Sequence, residues 1–249
     1  MTVQTDFRGG GAPLTPDTTP LDNAVWSALT GPHARLAERF GRAARYPDDI
    51  YAYAALADAS DPAAWADLHT LVGPGTTVKI KPVEQAPPPG WEVVGGGTGV
   101  QFVDTALRAE PAPEAVRLGP DDVPEILELV ARTEPGPFRT RTVEMGTYLG
   151  IRHHGRLIAM AGERLRVPGW TEISAVCADP EYRGRGLATR LVRAVAAGIR
   201  ERGDTPFLHA APSNANAIRL YESIGFTERL RGRTLLVRSQ GTTTGAGLL

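Results

Sequence analysis

The spacing of hydrophobic residues in the second half of the chain alternates between the period of strands and the period of helices. Short apolar runs predict strands over residues 116–118, 145–152, 156–165, 170–178 and 205–210, with one or two more within 226–238. Apolar residues at helical spacing predict helices over 120–133, 186–202 and 215–223. This order favours an α/β (α+β) fold in which helices flank one sheet.

The first half of the chain has fewer and shorter regular segments. Helices are predicted over 23–40, around a Gly31-Pro32 break, and over 63–71. Short strands are predicted over 76–80, 91–94 and 100–103, and the glycine cluster at 95–99 predicts a turn. The pattern therefore predicts a smaller α/β region in front of the larger one.

Segments poor in apolar residues divide the chain. Residues 1–20 and 239–249 are predicted to be a flexible leader and a flexible tail, because they offer little that could pack against a core. The run Glu110-Pro-Ala-Pro-Glu114 predicts a linker over 110–115. The predicted domains are therefore an N-terminal region at 21–109 and a second domain at 116–238.

The net charge of −1 conceals a difference between the halves. Residues 117–249 contain 19 arginines and no lysine against 14 acidic residues, which fits an anionic ligand. No concentrated basic stripe is present, so nucleic acid is not an expected partner. No apolar run reaches the roughly 20 residues of a membrane span, and Cys177 is the only cysteine, so we expect a cytoplasmic protein without disulfides. The histidines and the cysteine lack metal-ligand spacing, so no metal is expected.

A glycine-rich turn joins the strand predicted at 170–178 to the helix predicted at 186–202. The turn has the sequence Arg183-Gly184-Arg185-Gly186-Leu187-Ala188. Backbone N–H groups at the start of a helix and the positive end of its dipole attract anions, and glycines let a phosphate approach the chain. The turn therefore predicts an anion site, with an ordinary glycine-rich turn as the alternative.

A second pattern follows about 25 residues later, in Asn214-Ala-Asn-Ala217-Ile-Arg-Leu-Tyr221-Glu-Ser-Ile-Gly225-Phe226. Asn214 is placed to cap a helix and Gly225 to end it. This segment resembles the N-x-x-A-x-x-x-Y-x-x-x-G-F signature of the GNAT superfamily of acetyltransferases. The earlier turn resembles the R/Q-x-x-G-x-G/A signature of the same superfamily, and the two stand in the family's order.

The resemblance extends over residues 116–238, and 146–226 resemble the glycine N-acyltransferase-like branch of the superfamily. It implies a GNAT fold, with a mixed, mostly antiparallel sheet flanked by helices. Members of that branch often carry an N-terminal half that resembles a degenerate GNAT-like unit, and 21–109 are compatible with one. Because 21–109 contain no second glycine-rich signature, one coenzyme site is expected.

The resemblance implies an N-acyltransferase that moves an acetyl or other short acyl group from acyl-coenzyme A to a primary amine, by direct attack in a ternary complex. Acetyl-CoA is then the co-substrate, and the acceptor is a small-molecule or peptide amine. In the family the strand before the turn splays from its neighbour, and the freed backbone pairs with pantetheine. The implied coenzyme-binding residues are Val176, Cys177, Ala178, Arg183, Gly184, Arg185, Gly186, Leu187, Ala188, Asn214, Ala217 and Tyr221. The alternative from another class is a non-catalytic acyl-coenzyme A sensor or scaffold.

Two residues are candidates for proton transfer. Tyr221 is the predicted general acid for the leaving thiolate, the alternative being packing or pantetheine contact. Glu172 is the predicted general base, because six residues separate it from Ala178 and a strand period of two puts both on one face. A solvated or arginine-paired carboxylate is the alternative for Glu172.

Glu163, on the neighbouring strand, is a weaker candidate for the base. His209, near the end of a predicted strand, is another, although a histidine there is more often a satisfied core residue. Cys177 is not expected to be a nucleophile, because apolar burial raises the pKa of a thiol. The acceptor site is expected between the N-terminal region and the Pro/Gly-containing segment at 133–147. There Arg139 and Arg141 could hold an acceptor carboxylate, or be solvated.

Overall fold

The computed structural model describes residues 16–241, and in them eleven strands form a single mixed sheet. The strands are β1 (Glu38–Phe40), β2 (Ala43–Arg45), β3 (Tyr53–Leu56), β4 (Thr77–Ile80), β5 (Trp91–Asp104), β6 (Val116–Leu118), β7 (Tyr148–His153), β8 (Arg156–Val167), β9 (Trp170–Ala178), β10 (Thr205–Ala210) and β11 (Phe226–Ser239). Their order is β1-β2-β3-β4-β11-β5-β10-β9-β8-β7-β6. Only β3/β4 and β9/β10 are parallel, so the predicted mostly antiparallel sheet is confirmed.

Five α-helices pack on this sheet within the described residues: α1 (Ala24–Thr30), α2 (Pro62–Val72), α3 (Val123–Thr133), α4 (Leu187–Glu201) and α5 (Ala215–Ser223). Side chains cap several of them. Asp61 accepts a hydrogen bond from Ala63 N–H at the start of α2, and Asn214 accepts one from Ala217 N–H at the start of α5. The helices predicted at 63–71, 186–202 and 215–223 are confirmed within two residues.

The two faces of the central strands are covered by different helices. On one face, Leu191, Val195 and Ile199 of α4 pack with Ile173 and Leu208. On the other face, α1 packs against the neighbouring residues of those strands, and α3 packs beside it. Alternation along each strand thus buries both faces, which is why the strands read as nearly continuous apolar runs.

The helix predicted over 23–40 is wrong in its second half. The helix ends at Thr30, and residues 38–40 form the exposed edge strand β1. The physical reason is the Gly31-Pro32 pair, since proline has no N–H to donate and disfavours helical backbone in the residue before it.

The glycine cluster at 95–99 is not a turn, because β5 runs through it without interruption from Trp91 to Asp104. β11 pairs with it along its whole length, so the partner strand overrides the low strand propensity of glycine. The strand predicted over 145–152 begins later, at Tyr148, after a short 3₁₀ helix at Thr142–Met145.

β5 connects the two regions into which the sequence was divided. It pairs with both β10 and β11, although 91–104 belong to the region predicted as a separate N-terminal unit. Residues 1–15 and 242–249, most of the predicted leader and tail, lie outside the described residues. The division at 110–115 stays a prediction.

β9 leaves β10 part-way along its length. The two strands pair from Trp170/Thr205 to Ile173/Leu208, and residues 174–178 pair only with β8 on the other side. The register with β8 shifts between Ser174 and Cys177, and Ala175 has a left-handed backbone with φ of 54°. This bulge frees one edge of β9 beside the end of β10.

Candidate active site

A cavity of about 620 Å³ opens where β9 and β10 separate. Its walls come from distant parts of the chain: residues 172–176 of β9, His209 to Ala211, Tyr221 of α5, the loop at 134–137, and the N-terminal region. The N-terminal residues that line it include Leu21, Tyr51, Tyr53, Lys79, Lys81 and Gln101. The sheet thus brings the N-terminal region and the 134–137 loop to the same cavity as the second signature.

Glu172 lies in this wall and is fully buried, and both of its carboxylate oxygens accept hydrogen bonds. Arg164 donates to both of its carboxylate oxygens, at 2.6 and 2.9 Å, and His209 Nδ1 lies 2.7 Å from Oε1. Burial alone would raise the pKa of Glu172, but the charges and hydrogen bonds of Arg164 and His209 outweigh it and hold the pKa well below its ordinary value. Glu172 is therefore a permanent anion with an arginine partner.

A hydrogen-bond chain orients His209. Arg229 donates to Gln101 Oε1 at 2.9 Å, so the amide nitrogen of Gln101 faces the Leu21 carbonyl and His209 Nε2, both at 3.2 Å. Because that nitrogen only donates, His209 Nε2 accepts and Nδ1 carries the proton toward Glu172. Burial and the charge of Lys81 lower the pKa of His209 to about 4, so the ring is neutral at pH 7.

Tyr221 sits at the inner end of α5 and is 7% exposed. Its ring packs edge-to-face on Phe102 and Phe226, which fixes the direction of the side chain. Burial raises the pKa of Tyr221 to about 12, so the hydroxyl keeps its proton. Among the described residues this hydroxyl has no hydrogen-bond partner, and it lines the cavity with Asn214 and Ala217.

The glycine-rich turn lies beside this cavity's lining rather than in it. Gly184 and Gly186 both have left-handed backbones, with φ of 77° and 73°, and a Cβ at either would meet nothing within 4 Å. No side chain caps the start of α4 at Leu187, and Ala188 follows in its first turn. Arg183 precedes the glycines and Arg185 lies between them, and both are exposed, so the start of α4 is open and carries positive charge beside its N–H groups.

The predicted residues of β9 divide between the two faces of the sheet. Val176 lines the cavity, whereas Cys177 is buried beneath α3 and burial raises the pKa of its thiol. The prediction that Glu172 and Ala178 share one face is wrong. Ile173, the neighbour of Glu172, and Ala178 both pack on the α4 side, because the bulge at Ala175 shifts the alternation by one residue.

Three further candidates lie away from the cavity lining. Glu163 is buried and paired with Arg202 at 2.7 Å. Arg141 is bound to Asp49 and Glu144 at the surface, and Arg139 is exposed. Neither arginine is among the residues that line the cavity.

Sequence reasoning missed several residues of the cavity. Arg164, Lys79 and Lys81 were not singled out, although Lys79 and Lys81 are the only lysines in the chain. That rarity was the available signal. The stacked rings of Tyr51 and Tyr53, 4.5 Å apart, also line the cavity, and the guanidinium of Arg164 lies 4.9 Å from the ring centre of Tyr51.

Comparison with known proteins identifies the family. The FR47-like protein family model matches residues 148–235. A crystal structure assigned to the GNAT family of acetyltransferases, from Novosphingobium aromaticivorans, is 42% identical and superposes with a TM-score of 0.80, covering 89% of this chain and 99% of its own. This chain belongs to the GNAT family. GNAT acetyltransferases use acetyl-CoA, and the resemblance seen in the two signatures is confirmed.

Two curated acetyltransferases match shorter parts of the chain. Mycothiol acetyltransferase of Thermobispora bispora is 47% identical over 57 residues, which are 22% of this chain and 19% of that protein. N-alpha-acetyltransferase RimI of Mycobacterium tuberculosis is 38% identical over 82 residues, 32% of this chain and 51% of that protein. The chain thus spans about half or less of the length of these relatives.

Two general features complete the site's surroundings. No helix in the described part of the chain is long and apolar enough to cross a membrane. Among residues 16–241, no three His, Cys, Asp or Glu side chains are grouped as a metal ion would require.

Proposed function

We propose that this GNAT acetyltransferase transfers an acetyl group from acetyl-CoA to a primary amine, with both substrates bound together in the cavity between β9 and β10. The observation that carries the proposal is the separation of these strands after Ile173/Leu208, which opens directly onto Tyr221 and the Glu172–His209 pair. A non-catalytic coenzyme-binding module would have no need of this set of proton-transfer groups.

The donor is held mainly by backbone groups. The unpaired edge of β9 at 174–178 offers N–H and C=O groups to the pantetheine amides, and the N–H groups of the 183–188 turn hold the pyrophosphate. Arg183 and Arg185 add positive charge there. Bound acetyl-CoA would supply an activated thioester, and in this scheme an N–H of the bulged segment polarises its carbonyl.

Tyr221 protonates the departing thiolate in this scheme. Its hydroxyl is protonated at every pH at which the protein would work, since its pKa is raised to about 12. The packing of Phe102 and Phe226 holds the hydroxyl toward the cavity without using it in a hydrogen bond to the described residues.

His209 accepts the proton of the attacking amine at Nε2, where the amine N–H replaces the hydrogen bond from the Gln101 amide, and Glu172 positions the ring through Nδ1–H. The acidity of the amine N–H rises as the N–C bond forms, so a weakly basic imidazole can accept the proton late in the reaction. Glu172 is held by Arg164 with both oxygens and has no exposed surface, so its contribution is to hold His209 Nδ1–H and to balance the charge that develops on the ring.

Direct attack by the amine fits the site better than an acetyl-cysteine. Cys177 packs beneath α3, and burial raises the pKa of its thiol, which suppresses the thiolate. The relatives differ in their acceptors by name, one being a mycothiol acetyltransferase and the other an N-alpha-acetyltransferase. Both names are compatible with a small-molecule or peptide α-amine here.

The test is a thiol-release assay with purified protein, acetyl-CoA, and a panel of amino acids, polyamines and short peptides. Release that depends on one acceptor class, with the acetylated product seen by mass spectrometry, supports a transferase and identifies its acceptor. Coenzyme A binding by calorimetry without release on any amine would favour the sensor alternative. Absence of both would refute the proposal.

A further inference from the structure

Two lysines stand out against a chain that otherwise contains 25 arginines. Lys79 lies on β4 and Lys81 directly follows that strand, and both line the cavity. Lys79 Nζ lies 5.8 Å from the ring centre of Tyr53. Across residues 16–241, neither ammonium forms an ion pair with a carboxylate. Both are half-buried, so each gives up part of its hydration without gaining a counter-ion.

The carboxylates that could neutralise them are already engaged. Glu172 forms an ion pair with Arg164, and Asp22 forms one with Arg229. Glu134, the remaining acidic side chain of the lining, is exposed on the loop that follows α3. The β4 side of the cavity therefore carries uncompensated positive charge.

The space next to Lys81 is kept open by two glycines. Gly99 of β5 and Gly232 of β11 are cross-strand partners, and a Cβ at either would lie 3.9 Å from the Lys81 side chain. Neither has a left-handed φ, and no atom comes closer than ordinary contact, so neither the backbone nor packing requires glycine there. Glycine inside a strand weakens it and often marks the close approach of a ligand.

We propose that Lys81, together with Lys79, binds an anionic group of the amine acceptor, a carboxylate or a phosphate, in the gap beside Gly99 and Gly232. The proposal rests on the proposed function, because it concerns the acceptor of that reaction. It assigns the acceptor to amines that carry a second, negatively charged group, such as amino acids or phosphorylated amines.

Anion binding at this site would also act on His209. The charge of Lys81 is one of the causes that lower the pKa of His209, next after burial. A bound anion would offset that charge and make the ring a better proton acceptor. An acceptor with the anion would thus gain in turnover as well as in binding.

The test compares matched acceptors in wild type, Lys81→Met, Lys81→Arg and Arg117→Met. The pairs are L-alanine with L-alaninamide, L-phenylalanine with L-phenylalaninamide, and O-phosphoethanolamine with ethanolamine. Comparing variants on the same acceptor cancels differences in amine basicity. Arg117 is an exposed control on β6, at the far end of the sheet order from β4.

We expect Lys81→Met to lower kcat/KM for the anionic member of one pair on the order of tenfold or more, and not to lower it for the neutral partner, for which loss of the Lys81 charge beside His209 leaves the rate equal or higher. Lys81→Arg should retain the preference, and Arg117→Met should behave as wild type. The pair that responds distinguishes carboxylate from phosphate. Equal losses on both members, or no loss on either, would overturn the anion site while leaving the transferase intact.

Calorimetry with coenzyme A-loaded protein provides a readout that needs no turnover. We expect 3-phenylpropionate or inorganic phosphate to bind wild type more tightly than 3-phenylpropanamide, and Lys81→Met to lose that difference. If acid, phosphate and amide bind alike, the anion site is excluded. If no acceptor is acetylated in the rate assay, that result would instead count against the proposed function.

Discussion

Tyr221 lines the cavity from near the end of α5, and its ring packs edge-to-face against two phenylalanine rings. We predict that Tyr221→Phe lowers kcat by about 10²-fold, because the thiolate then leaves without a proton donor. The dissociation constant of acetyl-CoA, measured by calorimetry, should change by less than about threefold. An unchanged kcat would remove Tyr221 from the role of acid.

His33, which is buried, and His209, which is partly buried, offer a pair of histidines for comparison. Both have a pKa lowered to about 4, chiefly by burial, but only His209 lines the cavity, whereas His33 bonds to Tyr46. We predict that His209→Gln lowers kcat by about 10²-fold and that His33→Gln lowers the melting temperature but not kcat. Equal kinetic effects of the two substitutions would show that His209 acts through stability alone.

Lys81 predicts a pH dependence of acceptor binding. The pKa of Lys81 is lowered to about 8, because burial and the charge of Arg164 lower it more than the charge of Glu172 raises it. His209 also lines the cavity. A lysine is charged below its pKa, so KM for an anionic acceptor should rise above about pH 8. The Lys81→Arg variant shares every other titration, including that of the amine. The ratio of the wild-type KM to that of Lys81→Arg should therefore rise above about pH 8, and a ratio that stays constant there would assign the effect to another group.

At the scale of residues, the sequence was sufficient where local spacing decides the position. The motif places three residues together on one helix, because Asn214 caps α5 and Ala217 and Tyr221 follow three and seven residues later. The contact of Arg164 with Glu172, and of Gln101 with His209 and Arg229, depends on strand register between segments far apart in the chain. No local pattern contains that register.

The bulge in β9 is the element that makes the site, and its backbone conformation is testable. Ala175 adopts a left-handed backbone that costs non-glycine residues roughly 1–2 kcal/mol and is worst for β-branched ones. We predict that Ala175→Gly changes the free energy of unfolding in urea by less than about 1 kcal/mol, since strain relief offsets the added chain entropy. Ala175→Val should lose about 2 kcal/mol or more. A valine variant as stable as wild type would contradict the bulge.

At the scale of elements, amphipathic helices with side-chain caps and strongly apolar strands were predicted well. β9 and β10 have the predicted bounds, because their period and flanking turns agree. β5 was predicted as two separate strands, because its glycines have low strand propensity and the stability of the strand comes from pairing with β11. β2 and β3 were missed, since three or four residues give too short a pattern to recognise.

The whole molecule builds one cavity from two regions. One part of the lining comes from β9 and α5, and the other from β4, the middle of β5 and the 134–137 loop. In the proposed function the first part holds the coenzyme and the second the acceptor. The family and the mostly antiparallel sheet could be inferred from the sequence. That β5 joins β10 and β11 in the middle of that sheet could not, because the order of strands follows from long-range pairing.

The central claim is that donor and amine occupy this cavity together and react directly. Initial rates over a grid of acetyl-CoA and acceptor concentrations test it most directly. Double-reciprocal lines that intersect, with no acetylated protein detected by mass spectrometry after incubation with acetyl-CoA alone, are the predicted result. Parallel lines, together with an acetyl group on Cys177 or another side chain, would contradict the account.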